Sequence, residues 1–252
     1  MTKVYFIGAG PGDPELLTLK AAKIIKLADI VIYAGSLINK TILESAKNGA
    51  KLYDSSRMNL EEILGIIRKE KSTDKTIARV HSGEPSIYGA IQEQMDFCDK
   101  EGIEYNVIPG VSSFCAAAAG LKQELTLPNI SQTVILTRAA GRTEVPKKED
   151  LARLAKIKAT LVIFLSVDKI GEVIKKLLSG YGRNTPVAVV YRASWPDEKI
   201  VSGTLSDIAV KVKKSGIKKQ ALIFVGEVLA KAGFKKSCLY NKTFSHGFRV
   251  AN

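Results

Sequence analysis

The chain has 252 residues, enough for one large or two modest domains with a sizeable core, and is 46% hydrophobic and 25% charged with a formal net charge of +13, which suits anionic partners (nucleic acid or a polycarboxylate small molecule) or simply a solvated lysine surface such as Lys211, Lys213, Lys214, Lys218 and Lys219. No apolar run reaches membrane-spanning length and the start of the chain lacks a charged-then-apolar leader, so neither a membrane nor a secreted protein is expected. Three widely spaced cysteines (Cys98, Cys115, Cys238) and only two histidines (His81, His246) exclude a disulfide framework, a zinc spacing and a histidine-rich metal site, and make a reducing cytosol the expected setting.

Val4 to Ile7 is a short apolar run ending in glycines and reads as a buried strand. Thr18 can cap a helix carrying Leu19, Ala22, Ile25 and Leu27, and Ile30 to Tyr33 reads as the next strand. This strand–helix–strand unit implies parallel pairing, and ligands collect beyond the carboxyl ends of such strands, where Gly8–Asp13 and Ala34–Leu37 lie. The glycine loop is not a nucleotide fingerprint. Asp13 stands where the third glycine of a dinucleotide motif belongs, Pro11 and Pro14 lack N–H groups, and no P-loop lysine follows. The alternative to a ligand loop is a tight turn that only reverses the chain.

Residues 41–71 read as a helical region broken at Lys47-Asn48-Gly49, its second helix following Asn59 with Ile63, Leu64, Ile66 and Ile67. A strand from Thr76 to Val80 runs into the loop His81–Gly89, a helix carries Met95 and Phe97, and a strand from Glu104 to Ile108 ends in Pro109-Gly110-Val111-Ser112-Ser113 before a small apolar helix from Phe114 to Leu121. Glycine-bearing loops thus follow three successive strands and should form one rim at the carboxyl edge of a sheet. A boundary falls within Gly120–Pro128. Beyond it come strands at 133–137, 160–165, 186–191 and 221–225, helices at 147–156, 168–179 and 205–214, and a hairpin-like return through Ile200 and Gly203 that suggests antiparallel pairing. The expected fold is α/β in two domains: residues 1–120 with a parallel doubly wound sheet, residues 121–240 with a mixed sheet, and a tail over 241–252.

Among the loop residues, His81 can act as an acid or base or be satisfied by backbone, and Ser112 or Ser113 can cap the helix that follows. A serine nucleophile is not expected, because the glycine–x–serine–x–glycine elbow is missing. Arg138 and Arg142 flank Gly141 after a strand, where guanidinium groups can pair the carboxylates of a small polyanion or make surface ion pairs. Trp195, the only tryptophan, sits in a proline-bearing turn and can serve packing or contact a flat ligand.

The opening GAGPGDPELLTLKA, with a following strand that ends in tyrosine, resembles that of the tetrapyrrole methylases, and the likeness extends from Val4 to about Leu229. Within that family it is greatest to the branch methylating C11 of precorrin-4 or cobalt-precorrin-4, through Tyr33-Ala34-Gly35-Ser36-Leu37, Met58-Asn59-Leu60-Glu61-Glu62, His81–Gly89, Arg138–Arg142 and Arg192-Ala193-Ser194-Trp195-Pro196-Asp197-Glu198. The resemblance implies S-adenosylmethionine as methyl donor, S-adenosylhomocysteine as product, a small-molecule tetrapyrrole substrate, two α/β domains with the donor in the cleft between them, and a cytoplasmic homodimer with no nucleic-acid or membrane partner. It carries donor binding onto Pro11, Ser82, Gly83, Glu84, Ile87, Ser112, Ser113, Leu165 and Ala193. Arg138 and Arg142 are the expected substrate ligands; no catalytic side chain and no protein-held metal is expected. Two features depart from common relatives: Glu84 stands where many have aspartate, and Ala34 and Leu165 replace the aspartate and frequent methionine of uroporphyrinogen-methylating members. An RNA methyltransferase of the same fold and a non-catalytic nucleotide- or RNA-binding module are the rival readings.

Overall fold

Alternating side chains along the first strands create two cores on opposite faces of one sheet. In the computed structural model, which describes residues 1–250, β1 (Lys3–Gly8) turns Val4 and Phe6 into one core and Ile7 into the other. Burial on both faces is what a parallel sheet covered by helices requires. With β2 (Ile30–Tyr33), β3 (Lys51–Asp54), β4 (Thr76–His81) and β5 (Glu104–Ile108), it forms an all-parallel five-stranded sheet ordered β3-β2-β4-β1-β5. Helix α1 (Leu19–Leu27), capped by the Thr18 hydroxyl, covers one face with Ala21 and Ile25. On the other lie α2 (Leu60–Lys69), started by a reciprocal Asn59–Glu62 capping box, and α3 (Gln92–Glu101), stopped by left-handed Gly102. Helix α4 (Ser113–Gly120) follows β5.

The chain divides into two compact units, Met1–Ala117 with Arg192–Glu198, and Ala118–Tyr191 with the residues from Lys199 onward. In the second, β6 (Val134–Arg138) runs parallel to β7 (Thr160–Phe164), while β8 (Pro186–Tyr191), β9 (Lys199–Thr204) and β10 (Ala221–Val225) give the order β6-β7-β10-β8-β9. Strand β10 is antiparallel to both β7 and β8, and β8 is antiparallel to β9. Helices α5 (Leu151–Leu154), α6 (Ile170–Leu177) and α7 (Ile208–Ser215) pack Leu151, Leu177 and Val212 onto Leu161, Ile163, Val189 and Ile223. The expected architecture, a parallel sheet followed by a mixed one, is the one observed.

Two elements differ from expectation. The predicted helical stretch after residue 41 is a 3₁₀ turn over Lys40–Ser45 followed by β3, an edge strand whose Lys51 and Leu52 are exposed, so no apolar run marks it. The predicted helix over 147–156 is broken because Asp150 accepts from the Ala152 N–H and restarts the chain as a new helix.

At the carboxyl edge of the first sheet the backbones of β1, β4 and β5 meet without intervening side chains. A Cβ on Gly110 would lie 2.2 Å from the Gly83 carbonyl oxygen and 2.7 Å from the Gly8 Cα, and one on Gly8 would lie 2.5 Å from the same oxygen. Gly110→Ala should therefore destabilise the protein by about 1–3 kcal/mol, the range for overpacking a filled site. Gly65→Ala, on an open face of α2 with no neighbour within 4 Å, should instead stabilise by about 0.5–1 kcal/mol. Denaturant unfolding of both variants checks the contrast.

Candidate ligand site at the strand ends of the first unit

The glycine loop after β1 spends its own N–H groups internally. The N–H of Ala9 donates to His81 O at 2.8 Å and that of Gly10 to Gly83 O at 3.3 Å, while Gly83 N returns a bond to Gly10 O at 2.8 Å. The Asp13 N–H donates to Ser194 Oγ at 3.0 Å. With Pro11 lacking a donor, little of this loop's backbone is left for a phosphate, as its sequence suggested. Its carbonyls are taken too: Pro11 O accepts from the Trp195 indole N–H at 2.9 Å and Gly12 O from the Asn39 side-chain amide at 3.0 Å.

The second loop is joined to the third by Glu84. One carboxylate oxygen accepts from the Ser86 N–H at 2.9 Å and the other from the Gly110 N–H at 2.8 Å. Burial works against the charge, but these two backbone donors outweigh it and hold the carboxyl below its ordinary pKa. Ser82 and Ile87 are half-buried in the same loop, Gly83 is buried with φ of +62°, and Ser112 is buried beside half-buried Ser113. Ala193, 5% exposed, lies in the 192–198 segment and belongs to the same unit. Pro11, Ser82, Gly83, Glu84, Ile87, Ser112, Ser113 and Ala193 thus all fall in the first unit. Leu165 belongs to the second, at the end of β7, where it is 72% exposed with φ of +50°.

His81 is buried beneath this rim, near the Phe6 ring. Burial first, then the neighbouring Arg79 charge, push its pKa down to about 3 against an opposing backbone contact from Gly89. It is therefore neutral near pH 7 and poorly suited to be a base. Arg79 is itself buried, donating to Gln94 Oε1 at 3.0 Å and Ile32 O at 3.3 Å, and burial lowers its pKa to about 10.

In the second unit Arg138 does not present a free fork. Its guanidinium donates to the carbonyls of Thr143 at 3.1 Å and Glu144 at 2.6 Å, closing the loop it begins. Arg142 is exposed in that loop, and Lys169 Nζ reaches Ala140 O at 3.4 Å. A cavity of about 270 Å3 in this unit, lined in part by Pro186, Ile200, Leu229 and Lys231, includes none of the predicted site residues. Among the described residues there is no group of three His, Cys, Asp or Glu that could hold a metal ion, and no helix long and apolar enough to cross a membrane.

Sequence reasoning missed Asn39, Gly12 and Ser194 as organisers of the glycine loop. Only Trp195 carried a signal, as a lone tryptophan in a turn. Asn39 lies in an unremarked stretch with no spacing to betray its bond to Gly12.

The model of the tetrapyrrole (corrin/porphyrin) methylases matches residues 3–209. The chain is 57% identical over 251 residues to a cobalt-precorrin-4 C(11)-methyltransferase of Methanocaldococcus jannaschii, covering 99% of this chain and 97% of the relative. The crystal structure of a cobalt-precorrin-4 methyltransferase of cobalamin biosynthesis superposes with a TM-score of 0.88 at 46% identity, covering 90% of this chain and 95% of that one. A uroporphyrin-III C-methyltransferase from Thermus thermophilus, solved with S-adenosylhomocysteine, gives a TM-score of 0.76 at 30% identity over 91% of this chain and all of that one.

The Glu84 tie makes stability depend on pH. Its folded pKa lies below the unfolded value, so its contribution is fully present above the ordinary glutamate range and is lost as pH falls through the depressed folded value. Glu84→Gln keeps one acceptor oxygen and loses the charge, and should be less stable by about 1–3 kcal/mol at pH 7. The gap should close on acidification, and urea unfolding of both proteins from pH 7 to pH 3 measures it. A gap constant over that range would mean the carboxylate charge contributes nothing.

Proposed function

The chain belongs to the tetrapyrrole (corrin/porphyrin) methylases, and from that premise we propose that it transfers a methyl group from S-adenosylmethionine to C11 of cobalt-precorrin-4 or precorrin-4 in cobalamin synthesis. The observation that carries the reading is the near full-length identity to the cobalt-precorrin-4 enzyme. The glycine loop supports it independently. An adenosyl donor without phosphate needs small or apolar walls and a few backbone polar atoms, and a loop whose N–H groups are already spent on His81, Gly83 and Ser194 suits that ligand and not a dinucleotide.

Pro11, Ser82, Gly83, Glu84, Ile87, Ser112, Ser113, Leu165 and Ala193 would hold the donor. When bound, S-adenosylmethionine supplies a methyl group already activated by its sulfonium. The chain's contribution is then alignment, which in favourable cases lowers a barrier by about 7–11 kcal/mol. Glu84 serves by fixing Gly110 against Gly83, which keeps two walls of the site in register. Buried Ala193 leaves room for a ring where a larger side chain would fill it. No side chain is assigned a proton to move: His81 is buried and neutral, and the Glu84 oxygens are occupied by backbone donors.

The substrate's carboxylate arms would meet exposed Arg142, with Arg138 holding the loop that presents it. Cobalt, where present, belongs to the substrate. Cys98, Cys115 and Cys238 are all free thiols, which supports a reducing cytoplasm as the setting. A homodimer is part of the reading through the family resemblance.

Calorimetry tests the donor first. S-adenosylhomocysteine should bind and, at 100 times its dissociation constant, stabilise the protein by about 2.7 kcal/mol, whereas NAD should do neither. A response to NAD alone would overturn the assignment. Mass spectrometry of reactions with precorrin-4 and cobalt-precorrin-4 should then show one added methyl on at least one of them. Arg142→Gln should lower kcat/KM toward that substrate about ten- to a hundredfold and leave donor affinity unchanged. An Arg142→Gln enzyme equal to wild type on the corrin precursor but weakened toward structured RNA would favour an RNA substrate instead.

A further inference from the structure

We propose that Trp195 is a positioning residue for the methyl donor, locking the 192–198 segment to the glycine loop and so fixing both Pro11 and Ala193. The inference rests on the donor-site reading and deepens it. Trp195 is the only tryptophan in the chain and lies outside the hydrophobic cores of both units. Its indole N–H donates to Pro11 O at 2.9 Å. The ring lies so close to Gly12 that a Cβ there would fall 2.0 Å from the indole nitrogen. The Arg192 guanidinium stands over the ring, 4.0 Å from its centroid, and is paired with Asp197 at 2.9 Å.

Ala193 is gripped from both sides by this arrangement. Its neighbours Arg192 and Ser194 have φ of +46° and +67°, the left-handed region that non-glycine residues occupy only when their surroundings hold them there. Ser194 is held by the Asp13 N–H on its Oγ and by its own N–H donating to Glu198 Oε2 at 2.7 Å. The Trp195 N–H closes the turn onto Arg192 O at 3.0 Å. The bonds of Ser194 and Trp195 that leave the segment end on Asp13 and Pro11, where the loop is steadied by Asn39 on the Gly12 carbonyl. Removing the indole N–H would let the segment relax and shift Ala193 relative to Pro11 while leaving the sheet and its cores intact.

The test uses Trp195→Phe, which keeps a ring beside Gly12 and removes the N–H, and Gly12→Ala, which keeps the indole and displaces it. Wild type should bind S-adenosylhomocysteine by calorimetry, and each variant should bind about three- to tenfold more weakly. In methyl transfer the loss should appear in the KM for S-adenosylmethionine, with kcat at saturating donor retained. The single indole N–H resonance in a ¹⁵N-labelled sample should exchange slowly in wild type and fast in Gly12→Ala. A wild type that fails to bind would overturn the donor-site reading itself. A wild type that binds, with both variants binding equally well, would overturn the role of Trp195 alone.

Discussion

Three strands of the first unit can end side by side only because Gly8 and Gly110 carry no side chains where they meet the Gly83 carbonyl. This close approach is the constraint on which the candidate site depends. It brings the loops after β1, β4 and β5 within bonding distance, so that Gly10 and Gly83 exchange backbone hydrogen bonds and Glu84 reaches the Gly110 N–H. The same closeness uses up the donors that a helix-and-loop phosphate site would offer. What the rim can bind is therefore a consequence of how tightly it is closed.

Charge is distributed unevenly over these parts. The protein as a whole is strongly basic, yet the loops of the first unit carry Asp13, Glu84 and Glu198, each accepting a backbone N–H. Carboxylates held in this way keep a fixed position, and the backbone donors on Glu84 also hold its pKa down. Such a surrounding suits a ligand that bears positive charge at sulfur and loses it on reaction. Exposed Arg142 belongs to the second unit, on a loop closed by Arg138, where the proposed anionic substrate would be met. Under the proposed function, the methyl donor and the polycarboxylate acceptor would fall to separate loops.

Much of this was legible in the sequence where the signal was local. Strands Pro186–Tyr191 and Ala221–Val225 match their apolar runs residue for residue, because both are buried and bounded by turn residues. Strand ends followed by glycine and proline marked the loops of the rim. The edge strand Lys51–Asp54 escaped because an exposed edge needs no apolar pattern. Arg138 looked like a ligand for carboxylates, and the carbonyls of Thr143 and Glu144 that occupy it could not be foreseen from residue type. Trp195 was conspicuous as a single tryptophan, but its partner Pro11 lies 184 positions away, and no periodicity links residues so distant.

The placement of Arg192–Glu198 with the first unit bears on how the protein is made. Ribosomal synthesis delivers Met1–Ala117, sheet and helices included, well before this segment exists. At about 5–20 residues per second, the roughly 75 residues between Ala117 and Arg192 take about 4 to 15 s to appear. During that interval the nascent unit has its strands but neither the indole on Pro11 nor the hydroxyl on Asp13. A chain stopped short of residue 192 would own the sheet and lack the clasp, so the loop closes only on a polypeptide that already carries β6, β7 and β8 of its second half.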